Sequence, residues 1–303
     1  METLILNNIS KTLSKRQILK NISFKMNDHE IAGFIGPNGA GKTTTMKVIT
    51  DLLRPDEGTI RICGFDLKNQ REKALEKCSA IIETPSLYNY LTGKEILQYI
   101  SKIRGIKKER VEEIIDFTGL GERICDKVRK YSLGMKQRLA LGICLLTAPA
   151  LLLLDEPTNG LDPQGIIDLR VMLKKLKDQN GTSILVSSHN LSEIQKICDR
   201  FIFINDGKII SQKNNINTNI KTFRMEISDA EKVNKLFSER SDIEQFKIHN
   251  NNVQFSINNS KLSELLKELL NNNIDFTDFE QITWNIEQEY DWIYNREDLN
   301  CDH

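Results

Sequence analysis

Three things are scarce in this 303-residue chain: clustered cysteine, an excess of charge of one sign, and apolar runs long enough to cross a membrane. The six cysteines, Cys63, Cys78, Cys125, Cys144, Cys198 and Cys301, are scattered, with no C-x-x-C pair. A disulfide framework or a thiolate zinc site needs clustered or regularly spaced thiols, so neither is expected. Reduced thiols that pack as small apolar residues are. Lysine plus arginine and aspartate plus glutamate number 42 each. Counterion release on nucleic acid calls for a basic excess, and without one no nucleic-acid partner is expected. The opening METLILNNISK has no long apolar run behind a basic start, so no secretory leader is expected. The stretch Leu139 to Leu154 is apolar, but it contains Pro149 and lies between Arg138 and Asp155. It falls short of the ~20 residues of a spanning helix, and is expected as the end of a buried helix, a turn and a buried strand.

Short apolar runs alternate with helical spacing over the first two-thirds of the chain. Ile31–Ile35, Leu151–Leu154 and Ser183–Ser187 each precede a polar turn and a helix-compatible segment. This order predicts an α/β fold with a largely parallel sheet covered on both faces. Leu4–Ile9 and Ile22–Met26 alternate as antiparallel strands do, and the spacing between about 85 and 147 turns helical. After Ile210 the composition becomes asparagine-rich, predicting a linker over 213–220. Residues 221–303 then run strand, helix, strand, strand, helix, strand, the order of a small α+β, ferredoxin-like domain.

The strongest chemical signal is Gly36-Pro37-Asn38-Gly39-Ala40-Gly41-Lys42-Thr43-Thr44, which fits G-x-x-x-x-G-K-[ST]. It follows an apolar strand and opens a helix, the setting in which backbone N–H groups and a helix N-terminus cradle phosphates. Lys42 would neutralise the β and γ phosphates of ATP, and the Thr43 hydroxyl would ligate Mg²⁺. A second signal is Leu151-Leu-Leu-Leu-Asp155-Glu156, whose carboxylates emerge where a buried strand ends. Asp155 would hold the metal, and Glu156 would orient the attacking water. Between them, Ser132 in Tyr131-Ser-Leu-Gly-Met135 opens a helix, either as a simple cap or as an anion site.

With these motifs in this order, the chain resembles the nucleotide-binding subunits of ABC transporters over about residues 1–212. The resemblance implies an ABC-type P-loop ATPase with an antiparallel β-subdomain and a helical insertion. Ser132 and Gly134 match the signature segment that contacts the γ-phosphate held by a second subunit. Asp162, in Asn159-Gly-Leu-Asp162, matches the loop that reaches across the dimer, and His189 matches the switch histidine. Glu83 stands where the family usually has a metal-sensing glutamine, implying a third metal ligand. Leu13 takes the place of the usual adenine-stacking aromatic. The resemblance further implies a homodimer, an integral-membrane permease partner and a peripheral position on the inner face of the membrane. Glu83, the Y-S-L-G-M segment, Thr84-Pro-Ser-Leu-Tyr88 and the tail domain are most similar to the bacitracin- and lantibiotic-resistance branch. A soluble ABC ATPase acting on ribosomes or nucleic acid is the alternative. It fits less well, because Lys42 to Asp155 leaves no room for a long coiled-coil arm.

Overall fold

A computed structural model describes residues 2–188, 191–214, 220–240, 242–249, 251–282, 290 and 293–294. The chain divides into two compact units, Met1–Asn215 and Ile216–His303. The first opens with two long strands, β1 (Glu2–Leu13) and β2 (Arg16–Asn27). Leu13 pairs with Arg16, so Ser14 and Lys15 form a two-residue turn. Both carry positive φ, 47° and 68°, the mirror-image turn whose twist matches the strands.

The elements that follow, in chain order, are β3 (Ile31–Ile35), α1 (Lys42–Ile49), β4 (Glu57–Ile62), β5 (Phe65–Asp66), α2 (Arg71–Glu76) and β6 (Cys78–Ile81). The helical region comprises α3 (Gly93–Arg104), α4 (Lys108–Thr118), two 3₁₀ turns, and α5 (Leu133–Leu145). The chain then returns to the sheet with β7 (Leu151–Leu154), α6 (Pro163–Asn180), β8 (Ser183–Ser188), α7 (Leu191–Gln195), β9 (Arg200–Asn205) and β10 (Lys208–Asn214). The apolar stretch from Leu139 is therefore a helix end, a turn and a strand, and no described helix is long and apolar enough to cross a membrane.

The six-stranded sheet runs β10-β9-β3-β8-β7-β6, parallel except for the edge hairpin β9–β10. Every residue of β3, β7 and β8 is buried, as strands covered on both faces require. The second sheet, β2-β1-β4-β5, is antiparallel. Its inward side chains, among them Leu4, Leu6, Phe24 and Ile62, share one core with Met46 and Val48 of α1 and with Leu151 and Leu153. The helical region starts from a capping box, in which Thr92 and Glu95 satisfy each other's backbone N–H. Burial pushes the Cys78 and Cys144 thiols up to about 12, so these cysteines pack as inert apolar groups.

Two residues expected in the linker lie in a strand. Lys213 and Asn214 continue β10, paired with Phe201 and Arg200. An edge strand is held by its backbone ladder, so polar, exposed side chains do not prevent it from forming.

The second unit contains β11 (Ile220–Ile227), α8 (Ala230–Glu239), β12 (Ile243–His249), β13 (Asn252–Asn258), α9 (Leu262–Asn271) and β14 (Phe276–Ile282). Its strands are ordered β12-β13-β11-β14, all antiparallel. Each helix thus links two strands with a third lying between them. Phe223, Met225 and Ile227 alternate into a core with Val233, Phe237, Phe255 and Leu269.

Candidate active site

The phosphate loop spans the gap from β3 to α1, and two of its glycines are required by geometry. A Cβ on Gly36 would sit on the carbonyl oxygen of Ile204 in β9. Gly41 has φ 111°, and a Cβ there would approach Leu19 Cδ2 to 2.8 Å. From behind, Gly207 N donates to Ala40 O at 3.0 Å, and Lys20 N donates to Gly207 O at 2.8 Å. Among the described residues no side chain caps the start of α1. Its leading amides are therefore available for an anion.

Lys42 is only 6% exposed. Its Nζ donates to the carbonyl oxygens of Gly36 at 2.6 Å and Pro37 at 3.2 Å, and lies 3.6 Å from Glu156 Oε1. Burial pulls its pKa below the ordinary lysine value, while the Glu156 and Asp155 carboxylates pull the other way.

Two strands along the sheet from β3, β7 delivers Asp155 and Glu156. Thr43 Oγ1 donates to Asp155 Oδ2 at 2.7 Å, and Ser187 Oγ donates to Asp155 Oδ1 at 2.6 Å. Ser187 Oγ also accepts from Glu156 N at 2.9 Å. Glu156 has φ 49°, a left-handed conformation that costs a non-glycine residue about 1–2 kcal/mol. Ser187 carries no motif; its signal is a polar residue that follows the apolar run Ile184–Val186 in a fully buried strand.

Thr43 and Asp155 are oxygen donors of the kind a small hard dication takes. Among the described residues no group of three His, Cys, Asp or Glu side chains could hold a metal alone. The Thr43 and Asp155 oxygens suit Mg²⁺, which binds through one or two carboxylates plus substrate phosphates. Glu83 is the expected third ligand. Its carboxylate pairs with Lys47 Nζ at 2.6 Å, one turn along α1 from Thr43, and its side chain is 64% exposed.

Ser132, Gly134 and Asp162 lie in a second cluster. Ser132 is the exposed N-cap of α5, its Oγ accepting from Met135 N at 3.3 Å, so the capping role is real. Asp162 caps α6, accepting from Gly165 N at 3.0 Å, with Pro163 as the first helical residue. The two loops touch: a Cβ on Gly160 would approach Leu133 Cδ2 to 2.7 Å. A Cβ on Gly134 would meet nothing nearer than Leu161 Cδ2 at 3.7 Å, so this chain's own packing does not demand glycine there. Leu13, half-buried, ends β1 beside the turn. His189 lies outside the described residues.

A glycine-rich loop between a buried strand and a helix, facing an acidic strand end across one intervening strand, defines a P-loop nucleotide-binding fold. Residues 19–159 match the family model described as ABC transporter. The uncharacterized ABC transporter ATP-binding protein YhcH of Bacillus subtilis is 44% identical over 222 residues, 73% of each chain. The bacitracin transport ATP-binding protein BcrA of Enterococcus faecalis is 34% identical over 287 residues, 93% of each chain. The lantibiotic transport ATP-binding protein SrtF of Streptococcus pyogenes is 39% identical over 206 residues, 68% of this chain and 88% of that one. Among solved structures, a dimeric ATP-binding cassette bound to ADP and Pi superposes with a TM-score of 0.63 at 25% identity, over 71% of this chain and 100% of that one. The chain belongs to the ATP-binding proteins of ABC transporters, ATPases that dimerise and act with membrane permeases.

Proposed function

We propose that two copies of this chain close head to tail over two ATP molecules and drive a membrane permease. The observation that carries this reading is the convergence of Lys42, Thr43, Asp155 and Glu156 beyond the ends of β3 and β7, held by direct hydrogen bonds and one ion pair. Gly36 to Thr44 hold the terminal phosphates, and Lys42 exchanges its loop carbonyls for phosphate oxygens. Thr43 and Asp155 hold Mg²⁺, which when bound neutralises charge on the phosphoryl oxygens. Glu156 accepts a hydrogen bond from the attacking water and so orients and polarises it. His189, as a neutral imidazole, would bond both the γ-phosphate and this carboxylate.

Ser132 and Gly134 of the second copy complete the site, and Asp162 anchors the loop that crosses between copies. The room around Gly134 supports this, since it leaves space for an outside surface to approach its backbone. Contacts made only in the closed state let ATP shift the open–closed balance, and hydrolysis removes them.

The permease meets the helical region. In support, a cavity of about 1010 Å³ lies between the helices and β6, lined by Ile82, Ile100, Arg104, Ile143 and Cys144. Leu52, Tyr99 and Ile103 stand 66%, 56% and 66% exposed. The chain is thereby held peripherally on the inner face of the membrane. Likeness to proteins named for bacitracin and lantibiotic transport supports peptide-antibiotic export or protection as the task. The second unit is a ferredoxin-like accessory domain.

The test is nucleotide binding and turnover by the purified chain with magnesium and its permease. Lys42→Ala is expected to weaken ATP binding by ~100-fold, the scale of a lost charge-assisted contact in a desolvated site. Unchanged affinity in that variant, or no turnover in the parent, overturns the reading.

A further inference from the structure

We propose that Ser187 is a positioning residue for hydrolysis, one hydroxyl that sets both acidic side chains of the site. The proposal rests on the functional reading above and deepens it.

The sheet places this residue without slack. β8 lies between the phosphate-loop strand β3 and the acid-bearing strand β7. Phe34 pairs with Ser187 on one side, and Leu154 pairs with Val186 on the other, so Ser187 stands level with the first residue beyond β7, Asp155. Its side chain is fully buried. A hydroxyl has one hydrogen to donate and lone pairs to accept with. Here the hydrogen goes to Asp155 Oδ1 at 2.6 Å, and a lone pair takes Glu156 N–H at 2.9 Å. One oxygen atom therefore fixes the carboxylate of one residue and the backbone of the next.

Each bond has a separate consequence. Asp155 is gripped at both oxygens, by Thr43 at Oδ2 and Ser187 at Oδ1. When Thr43 turns its hydroxyl to a metal, the Ser187 bond still orients the carboxylate. The other bond supports Glu156 in its left-handed backbone, φ 49°. That conformation decides where the Glu156 carboxylate points. Removing the hydroxyl would take its hydrogen bond from the part-buried Glu156 N–H and let the backbone relax. Outer partners that orient a ligating carboxylate typically change metal affinity or activity 10–100-fold when lost.

Three substitutions separate hydroxyl from shape. Ser187→Ala removes the oxygen; Ser187→Val fills the volume of threonine without a hydroxyl; Ser187→Thr has that volume and keeps it. In the full-length chain, Ser187→Ala and Ser187→Val are expected to lower kcat by ~10–50-fold with KM for ATP within ~3-fold, because the lost contact acts on the transition state more than on binding. The magnesium midpoint for nucleotide binding, read with a fluorescent ATP analogue, should rise by ~10-fold in both. Ser187→Thr should recover most of kcat and the parental magnesium midpoint. The inference is overturned if Ser187→Val and Ser187→Thr behave alike in either direction, or if Ser187→Ala leaves kcat and the magnesium midpoint within ~2-fold of the parent. Parental protein that neither binds nor turns over ATP would instead count against the functional reading, so the two failures are distinct.

Discussion

The two units of this chain are built on opposite principles. Among the described residues every buried polar or charged side chain, Lys42, Asp155, Ser187 and Glu30 among them, belongs to the first unit. The second unit buries only apolar groups, with Phe223, Phe237 and Phe255 at its centre. A buried polar group costs free energy unless its bonds are made, and a buried charge costs far more. The first unit accepts that cost at several places, the phosphate-loop end of its sheet with Lys42, Asp155 and Ser187 among them. Among its described residues the second accepts no fully buried polar side chain, and its polar bonds, such as those of Arg240 to Asp242, are part-buried or exposed. The contrast separates a unit organised for chemistry from one organised to be a stable shape.

The sharpest way to break the contrast is Glu156→Gln. It keeps the shape and hydrogen-bonding reach of the side chain but removes its capacity to polarise water. We expect kcat to fall by ~1000-fold, about 4 kcal/mol of barrier, with ATP binding kept and the closed pair trapped. Size-exclusion chromatography with ATP should show a long-lived dimer, and parental turnover would remove Glu156 from its role. Next in size is Phe255→Ala in the second unit. Phe255 is 1% exposed and meets Phe237 edge-on at 5.1 Å. The loss of stability should be ~3 kcal/mol, seen in that unit's melting, with the nucleotide affinity of the first unit unmoved. A matching loss of ATP affinity would show that the second unit is not a separate shape.

Smaller again is Ser132→Ala, which removes both a helix cap and the hydroxyl offered to the other copy. Loss of a cap alone costs about 1 kcal/mol of stability. A cross-dimer contact adds a ~10-fold fall in turnover that melting would not reveal. Equal and purely thermal effects would leave the cap as its whole role. The smallest effect is expected from Asp242→Asn. The Arg240 guanidinium, 2.5 Å from Asp242 Oδ2, holds that carboxyl below its ordinary range. A carboxyl with a depressed folded pKa adds stability above its unfolded value and loses it as pH falls through the folded one. The parent should therefore lose under ~1 kcal/mol below about pH 4, and the variant should lack that acid limb. Melting of the second unit at acid and neutral pH measures it.

Much of the first unit was legible where residue types are dictated by local geometry. Gly36 and Gly41 are glycine because a Cβ does not fit, and that need shows in the sequence as a motif. Four consecutive leucines at 151–154 can only be a buried segment, so the two acids after them had to surface at its end. Period-two alternation in Phe223, Met225 and Ile227 exposed a sheet face in the same way. What was not legible depends on partners remote in the chain. β4 stands beside β1, with Leu6 opposite Ile60, and only two of its residues are buried, so no pattern marked it. β10 extends through Lys213 and Asn214 because β9 supplies the backbone ladder. Glu83 meets Lys47 from a different element, and Ser187 matters only because β7 lies alongside it.

The turn at Gly207 has a further meaning for how nucleotide is received. By joining Ala40 to Lys20 it ties the phosphate loop at its back, to β2 and to the β9–β10 hairpin. A loop moored in this way enters the encounter with its mould already cast, and incoming phosphates need not spend binding energy on ordering it. Movement during the work cycle is thereby displaced to the seams around the loop. The helical region joins the sheet next to β6 and β7, so a shift there need not disturb the moored loop.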